Sequence, residues 1–323
     1  MTLDLSNILQ QYQYAFTKLR CAPTRYGLAP HKPVFLLSLI EQVEKGYVID
    51  NQFQLTPELV GTFLENWRLL VTTPHSADFT QPLFYLQSDR VGAEPFWILV
   101  PKPGCQINAY IKSVNTLQDI LAYGMMDEAL FTLLLNPTDR AVLQQCLLDR
   151  YFPDTKGVFL KHKQIGDGFL HQVEEYVLNE PEAKLKRISI HTEEEKFVRN
   201  GLFKKYVPQV YRDTCAFTGM RLSSPFSRNF IDACHIVPFS ISHDDKVNNG
   251  IALCPNMHRA FDRGLLSIGA DFEILVSPHI YENEEHVYSL AKLKYQKVLL
   301  PDNPHYQPKQ ENVEWHREYV FKR

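Results

Sequence analysis

The sequence predicts an α+β protein: a mixed helical and stranded N-terminal domain over residues 1–153, a connector over 154–195 and a second domain over 196–323. Three observations carry this reading. A length of 323 residues suits about two domains. Apolar residues in the first half recur at helical spacing, broken by short β-rich runs. The last third runs strand, strand, polar loop, helix.

The elements follow in order. Leu5, Ile8, Leu9, Tyr12, Phe16 and Leu19 fall on one helical face. Pro33 opens a second helix from Val34 to about Val43, ended by Gly46. Thr56, Pro57 and Glu58 form an N-cap, a first-turn proline and a first-turn acid for a third helix through Leu70. Leu83–Gln87 and Phe96–Val100 read as short strands, and helical patterns return from about Leu117 to Asp149. The stretch 154–195 mixes Lys, Glu and Gly with a few aromatics and reads as a partly ordered connector, with one helix over Phe169–Leu178. A helix from Glu194 to about Tyr211 opens the last third, followed by a strand-turn signal at Cys215–Gly219 and a strand at Phe230–Cys234. Residues 240–250 are a loop of turn formers, in which His243 beside Asp244 and Asp245 reads as solvated. Pro255 to about Phe261 reads as a helix, Leu266–Ile268 and Phe272–Val276 as strands.

Composition excludes several classes. The chain is 45% hydrophobic and 22% charged, ordinary for a globular protein. No apolar run approaches the ~18–20 residues of a membrane helix, and the start lacks the basic and apolar blocks of a secretory signal. A cytoplasmic protein without a membrane partner is expected. The six cysteines, at 21, 105, 146, 215, 234 and 254, form no C-x-x-C pair, which argues against a disulfide framework or a four-cysteine zinc site. Cys215 and Cys254 read as packed thiols. The net charge is −3, but residues 196–323 carry 17 basic against 14 acidic residues. That sign suits phosphate contact, although the excess is small.

The chemistry concentrates late in the chain. Phosphodiester hydrolysis needs a base for water, a cation to neutralise phosphate and leaving oxygen, and a frame that holds both. His235 ends a strand and is followed by Pro238; Asn249-Gly250 lies 14 residues on, His258 a further 9, and Asp262 a further 4. Positions i and i+4 share a helix face, so His258 and Asp262 can point at one ion.

From Tyr211 to Ser277 the sequence resembles the HNH, or ββα-metal, nuclease family. The matching residues are Cys215-x-x-Thr218-Gly219, His235 to Pro238, Asn249-Gly250, Leu253-Cys254, and His258-x-x-Phe261-Asp262-x-Gly264. Leu300-Pro301 and Trp315-His316-Arg317 resemble the tail of one HNH subgroup. The resemblance implies His235 as general base, Asn249 as the residue fixing the loop geometry, and His258 as metal ligand with Asp262 as a second. The implied cofactor is a divalent cation, Mg2+ first, with Mn2+, Ni2+ or Zn2+ as alternatives. Many HNH nucleases carry an Asp or His just before the base, where this chain has Cys234. A thiolate is a poor partner for Mg2+. Either Cys234 is a small spacer or the site takes a softer ion, and Asp232, on the same strand face as Cys234, can supply the missing carboxylate. Asp262 has an alternative partner in Arg259 or Arg263.

Ala29-Pro30-His31-Lys32-Pro33, with Pro82 to Tyr85 and Leu147 to Pro153, resembles the sulfur-binding domains of type IV restriction enzymes, which recognise phosphorothioate-modified DNA. Tyr85 stands where that family generally has an Arg. His31 and Lys32 at a helix start, with Arg25, Tyr85 and Arg90, are candidate DNA contacts. The leading expectation is a restriction or defence endonuclease acting on DNA that carries a modification. The competing readings are an HNH nuclease controlled by a small ligand or protein partner, and a non-catalytic DNA-binding protein with a degenerate HNH fold. Cutting two strands with one active site per chain favours a homodimer.

Overall fold

The computed structural model describes residues 5–166, 168–178, 191–222 and 230–323. Their contacts divide them into two compact units, residues 5–172 with 191–198, and residues 173–178 with 199–323.

The first unit is built on three helices that follow the sequence punctuation: α1 (Leu5–Thr17), α2 (His31–Glu44) and α3 (Pro57–Leu70). Thr56 accepts a hydrogen bond from the amide of Leu59, so the expected cap forms. Every residue of α2 from His31 to Val43 is buried, because α2 packs against α3 and, on another side, against α7 (Pro137–Tyr151). Between α1 and α2 run β1 (Pro23–Thr24) and β2 (Gly27–Leu28), a short hairpin, and after α3 comes α4 (Thr80–Tyr85).

Two expectations fail in this unit. Leu83–Gln87 is not a strand; it lies in α4 and the 3-10 turn Leu86–Ser88. The Asp78 carboxylate accepts from the Gln81 amide and the Thr80 hydroxyl, both at 3.0 Å. Pro82, which has no N–H to lose, fits the first turn that follows. Nor is 117–149 continuously helical. After β3 (Arg90–Val91), β4 (Glu94–Pro95) and β5 (Trp97–Pro101), α5 (Val114–Ile120) gives way to β6 (Leu121–Met126). Helix resumes in α6 (Glu128–Leu135), capped by Asp127, and then α7. β6 pairs with β5 on one side and with Phe53 on the other. Gly124 is required there, since a Cβ would sit 2.2 Å from the Trp97 ring.

The stretch expected as a connector is helical where described: α8 (Lys156–Ile165), α9 (Phe169–Val177) and the start of α10 (Glu193–Val210). Phe159 and Phe169 are buried. The rest of that expectation, at 167 and 179–190, lies outside the described residues.

In the second unit β7 (Asp232–His235) and β8 (Gly250–Leu253) pair antiparallel, Asp232 opposite Leu253 and His235 opposite Gly250. The loop between them holds α11 (Phe239–Ser242) and a 3-10 turn, Val247–Asn249. Then come α12 (Pro255–Asp262), β9 (Leu266–Ile268), β10 (Ile274–Val276) and α13 (Gln310–Tyr319), which packs on β9. Of the strand and turn expected at Cys215–Gly219, the turn forms and the strand does not. The turn borders β8 through a hydrogen bond from the Ala216 amide to the Ala252 carbonyl, 2.8 Å. The two strands of the motif are therefore β7 and β8, on either side of the polar loop.

Candidate active site

Strand alternation sends the residues of β7 to two faces. On one face His235 Nε2 meets Asp245 at 2.6 Å. The imidazole lies flat on Phe203 of α10, ring centroids 4.0 Å apart and planes 6° from parallel. Close approach of α10 to β8 makes this possible, because a Cβ at Gly250 would lie 2.5 Å from Val207 and 3.0 Å from Phe203. Asn249 is fully buried and ties the turn after His235. Its side chain accepts from the Val237 amide and donates to the carbonyls of Val237, at 3.0 Å, and Asp244, at 2.9 Å. These bonds satisfy buried backbone groups that would otherwise cost ~1–3 kcal/mol each.

On the other face Asp232 meets His258 of α12. Asp232 Oδ2 stands 3.1 Å from His258 Nδ1, and Asp262 Oδ2 stands 3.4 Å from Nε2 of the same ring. The Cys234 thiol donates to Asp262 Oδ1 at 3.5 Å. Burial first, and the Asp262 carboxylate second, push the Cys234 thiol well above its ordinary range, so it is protonated at neutral pH. Ligand atoms of Cys234, His258 and Asp262 lie within 4.8 Å of one another. Ligands ~2.1 Å from one octahedral cation lie ~3 Å apart, so the His258 and Asp262 atoms suit a divalent ion. A protonated thiol does not add a hard donor. Asp262 makes these contacts to His258 and Cys234; no ion pair to Arg259 or Arg263 is seen among the described residues.

Both faces open at the strand end onto one cavity of about 440 Å³, lined by His235, His258, Asp262, Pro238, Phe239 and His316. His316 of α13 is buried, stacked on Phe261 at 3.7 Å and hydrogen-bonded to Ser267 at 2.9 Å. Burial lowers its pKa to about 4. Cys215 and Cys254 are buried, and their mutual hydrogen bond holds the Cys254 thiol protonated.

Asp245 carried no signal in the sequence. Its neighbour His243 is exposed, as expected, but Asp245 is 2% exposed and ion-paired with Arg199 of α10 at 2.5 Å. A polar loop gives no local hint that one of its carboxylates is buried against a distant helix.

In the first unit, His31, Lys32 and Tyr85 line one cavity of about 390 Å³, with Arg20, Cys21 and Gln81. His31 and Lys32 are buried rather than free at a helix start. His31 Nε2 meets the Ser76 carbonyl at 2.9 Å, and the Lys32 ammonium is paired with Asp89 at 2.5 Å. Burial lowers the His31 pKa and raises Cys21 to about 11. Tyr85 is half exposed, against Phe84 and Tyr110. Arg90 lines a separate cavity, and Arg25 lies over Tyr26 at the hairpin tip.

Residues 215–269 match the HNH endonuclease family. The matched segment lies wholly within the second unit. It contains both faces of the site, from Asp232 to Asp262, and leaves Arg199, Phe203 and His316 outside the matched residues. Among curated proteins, the type IV methyl-directed restriction enzyme EcoKMcrA of Escherichia coli (strain K12) is 29% identical over 86 residues, 25% of this chain and 30% of that protein. The chain thus matches less than a third of the length of that relative. Among solved structures, a modification dependent TagI restriction endonuclease is similar over 36% of this chain and 37% of that one, at 21% identity and a TM-score of 0.29. No helix among the described residues is long and apolar enough to cross a membrane.

Proposed function

We propose that this protein is a metal-dependent DNA endonuclease in which His235 is the general base. The observation that carries the reading is the one cavity shared by His235, His258 and Asp262, within a segment that matches the HNH family. His258 Nε2 and Asp262 would hold the cation, Asp232 orients the His258 ring through Nδ1, and Cys234 packs beside them. A divalent ion bound there supplies positive charge to the scissile phosphate and the departing oxygen. Mg2+ is the proposed ion; an imidazole ligand also suits Mn2+, Ni2+ and Zn2+. His235 accepts a proton from water, the hydroxide oxygen bonds to phosphorus, and the bond to the 3′ oxygen breaks, its electron pair leaving with that oxygen. Asn249 maintains the turn on which the base sits. Plasmid incubated with Mg2+, Mn2+ or Ni2+ is expected to be cut by the wild-type chain and not by His235→Ala. Equal cutting by the two, or none by wild type on any modified or unmodified DNA, removes this reading.

We infer further that residues 1–153 select DNA carrying a modification, as a restriction enzyme does. What supports it in that segment is a cavity that gathers His31, Lys32 and Tyr85 beside an exposed hairpin tip bearing Arg25; the similarity to a relative described as methyl-directed supports a restriction role for the chain as a whole. Binding of the full chain to plain, methylated and phosphorothioate duplexes is the test, with preference for one modified duplex expected. Equal affinity for all of them counts against a modification reader.

A further inference from the structure

We propose that Asp245 and Arg199 are positioning residues for His235. In this reading a buried Arg199–Asp245–His235 chain fixes the imidazole in its Nε2–H tautomer and leaves Nδ1 as the basic nitrogen. The inference rests on the nuclease reading for its kinetic consequence, but its structural half stands alone.

Asp245 is 2% exposed, so its carboxylate is charged only if cations or donors surround it. Arg199 supplies the charge at 2.5 Å to Oδ2, and His235 Nε2 meets Oδ1 at 2.6 Å. A carboxylate beside a guanidinium accepts and does not donate, so the proton in the His235 contact belongs to the imidazole, on Nε2. A neutral imidazole protonated there has its lone pair on Nδ1. Two further contacts close the ring's freedom. Phe203 lies one helical turn from Arg199 on the same face of α10 and stacks on the imidazole. Phe239 stands 6.3 Å from the ring and lies under the Arg199 guanidinium at 4.1 Å. One helix therefore provides both the plane under the base and the cation behind its carboxylate. None of these four groups is a candidate metal ligand.

The chemistry follows from geometry. An unanchored imidazole exchanges tautomers and rotates, so only part of the population presents a lone pair to water. Anchored at Nε2, it presents Nδ1 in every molecule, and the proton taken from water arrives on a ring whose other N–H already faces a carboxylate. Asp245 acts only through His235; it touches neither DNA nor cation.

The test has two arms on the full chain. In the first, 15N-histidine spectra at pH 8, with the His235 signal assigned by its loss in His235→Gln, should show a neutral ring protonated at Nε2. In Asp245→Ala the signal should move toward the averaged tautomer mixture. A wild-type ring protonated at Nδ1, or at both nitrogens, overturns the proposal whether or not the chain cuts DNA. In the second, Asp245→Ala should lower kcat by roughly 10- to 100-fold with KM for DNA unchanged. Asp245→Asn, which still accepts from Nε2–H, should lose less, and Arg199→Lys less than Arg199→Met. A kcat unchanged in Asp245→Ala, whether or not KM rises, overturns the proposal. If Asp245→Ala does not fold, Asp245→Asn and the wild-type spectrum still decide the matter. A wild-type chain with no His235-dependent cutting counts against the nuclease reading alone, and the tautomer arm is unaffected.

Discussion

Asp232 and Asp262 sit on the two nitrogens of one imidazole, and that placement separates their roles. Asp262 shares the Nε2 side of His258 with the Cys234 sulfur, where three ligand atoms converge. Asp232 faces Nδ1, the position from which a carboxylate fixes the ring of a metal-binding histidine. Removing a ligand should therefore cost more than removing the orienting group. Titration of the full chain with Mn2+ is expected to show near-complete loss of binding in His258→Ala, a large loss in Asp262→Ala, and a loss of roughly 10- to 100-fold in Asp232→Asn. A loss in Asp232→Asn as deep as in His258→Ala would make Asp232 a direct ligand instead.

At the scale of elements, what the sequence discloses is local. Thr56 with Pro57, and Pro255 ahead of His258, mark helix starts because caps and first-turn prolines act within a few residues. Leu83–Gln87 is misread as a strand because its apolar run carries no period, while Asp78, outside the run, sets the helical turn. β6 is missed because its partners, Trp97 and Phe53, are distant in sequence. The site divides the same way. His235, Asn249, His258 and Asp262 are readable from order and spacing. Asp245 is not, since its burial depends on Arg199, 46 positions earlier. His316 is a similar case: α13 brings it under the end of α12, against Phe261 and the Phe261 carbonyl. Its pKa is lowered by burial from 6.5 to about 4. The unfolded chain then binds a proton that the folded chain refuses, so this group's stability contribution is complete above pH 6.5 and falls as pH drops toward 4. At ~1.4 kcal/mol per pH unit the loss reaches up to ~3 kcal/mol. Unfolding free energy measured from pH 7.5 to 4.5 should fall less steeply in His316→Gln than in wild type. Parallel curves would show that His316 titrates normally in the folded chain. Packing between elements makes a second prediction. Gly250→Ala forces β8 from α10 and should destabilise by ~1–3 kcal/mol in denaturant unfolding, with loss of cutting.

Across the whole molecule, charge does little to reveal a nucleic-acid partner. The net charge is −3, and the second half of the proposed pair of functions rests on a segment with only three more basic than acidic residues. Affinity for duplex DNA must then come from placed contacts more than from a general field, which implies a shallow salt dependence, because each phosphate neutralised releases counterions. If residues 1–153 read the DNA and the HNH segment cuts it, the two functions separate by mutation. His235→Ala should bind the preferred modified duplex as wild type does while cutting nothing. Tyr85→Ala, altering the cavity that also holds His31 and Lys32, should lose the preference for modified over plain duplex while its Mn2+ affinity stays at the wild-type value. Both are measured on the full chain, binding by anisotropy between 50 and 200 mM salt and metal by calorimetry. Loss of DNA binding in His235→Ala, together with unchanged discrimination in Tyr85→Ala, would place DNA selection in the nuclease segment and leave the first unit with another task.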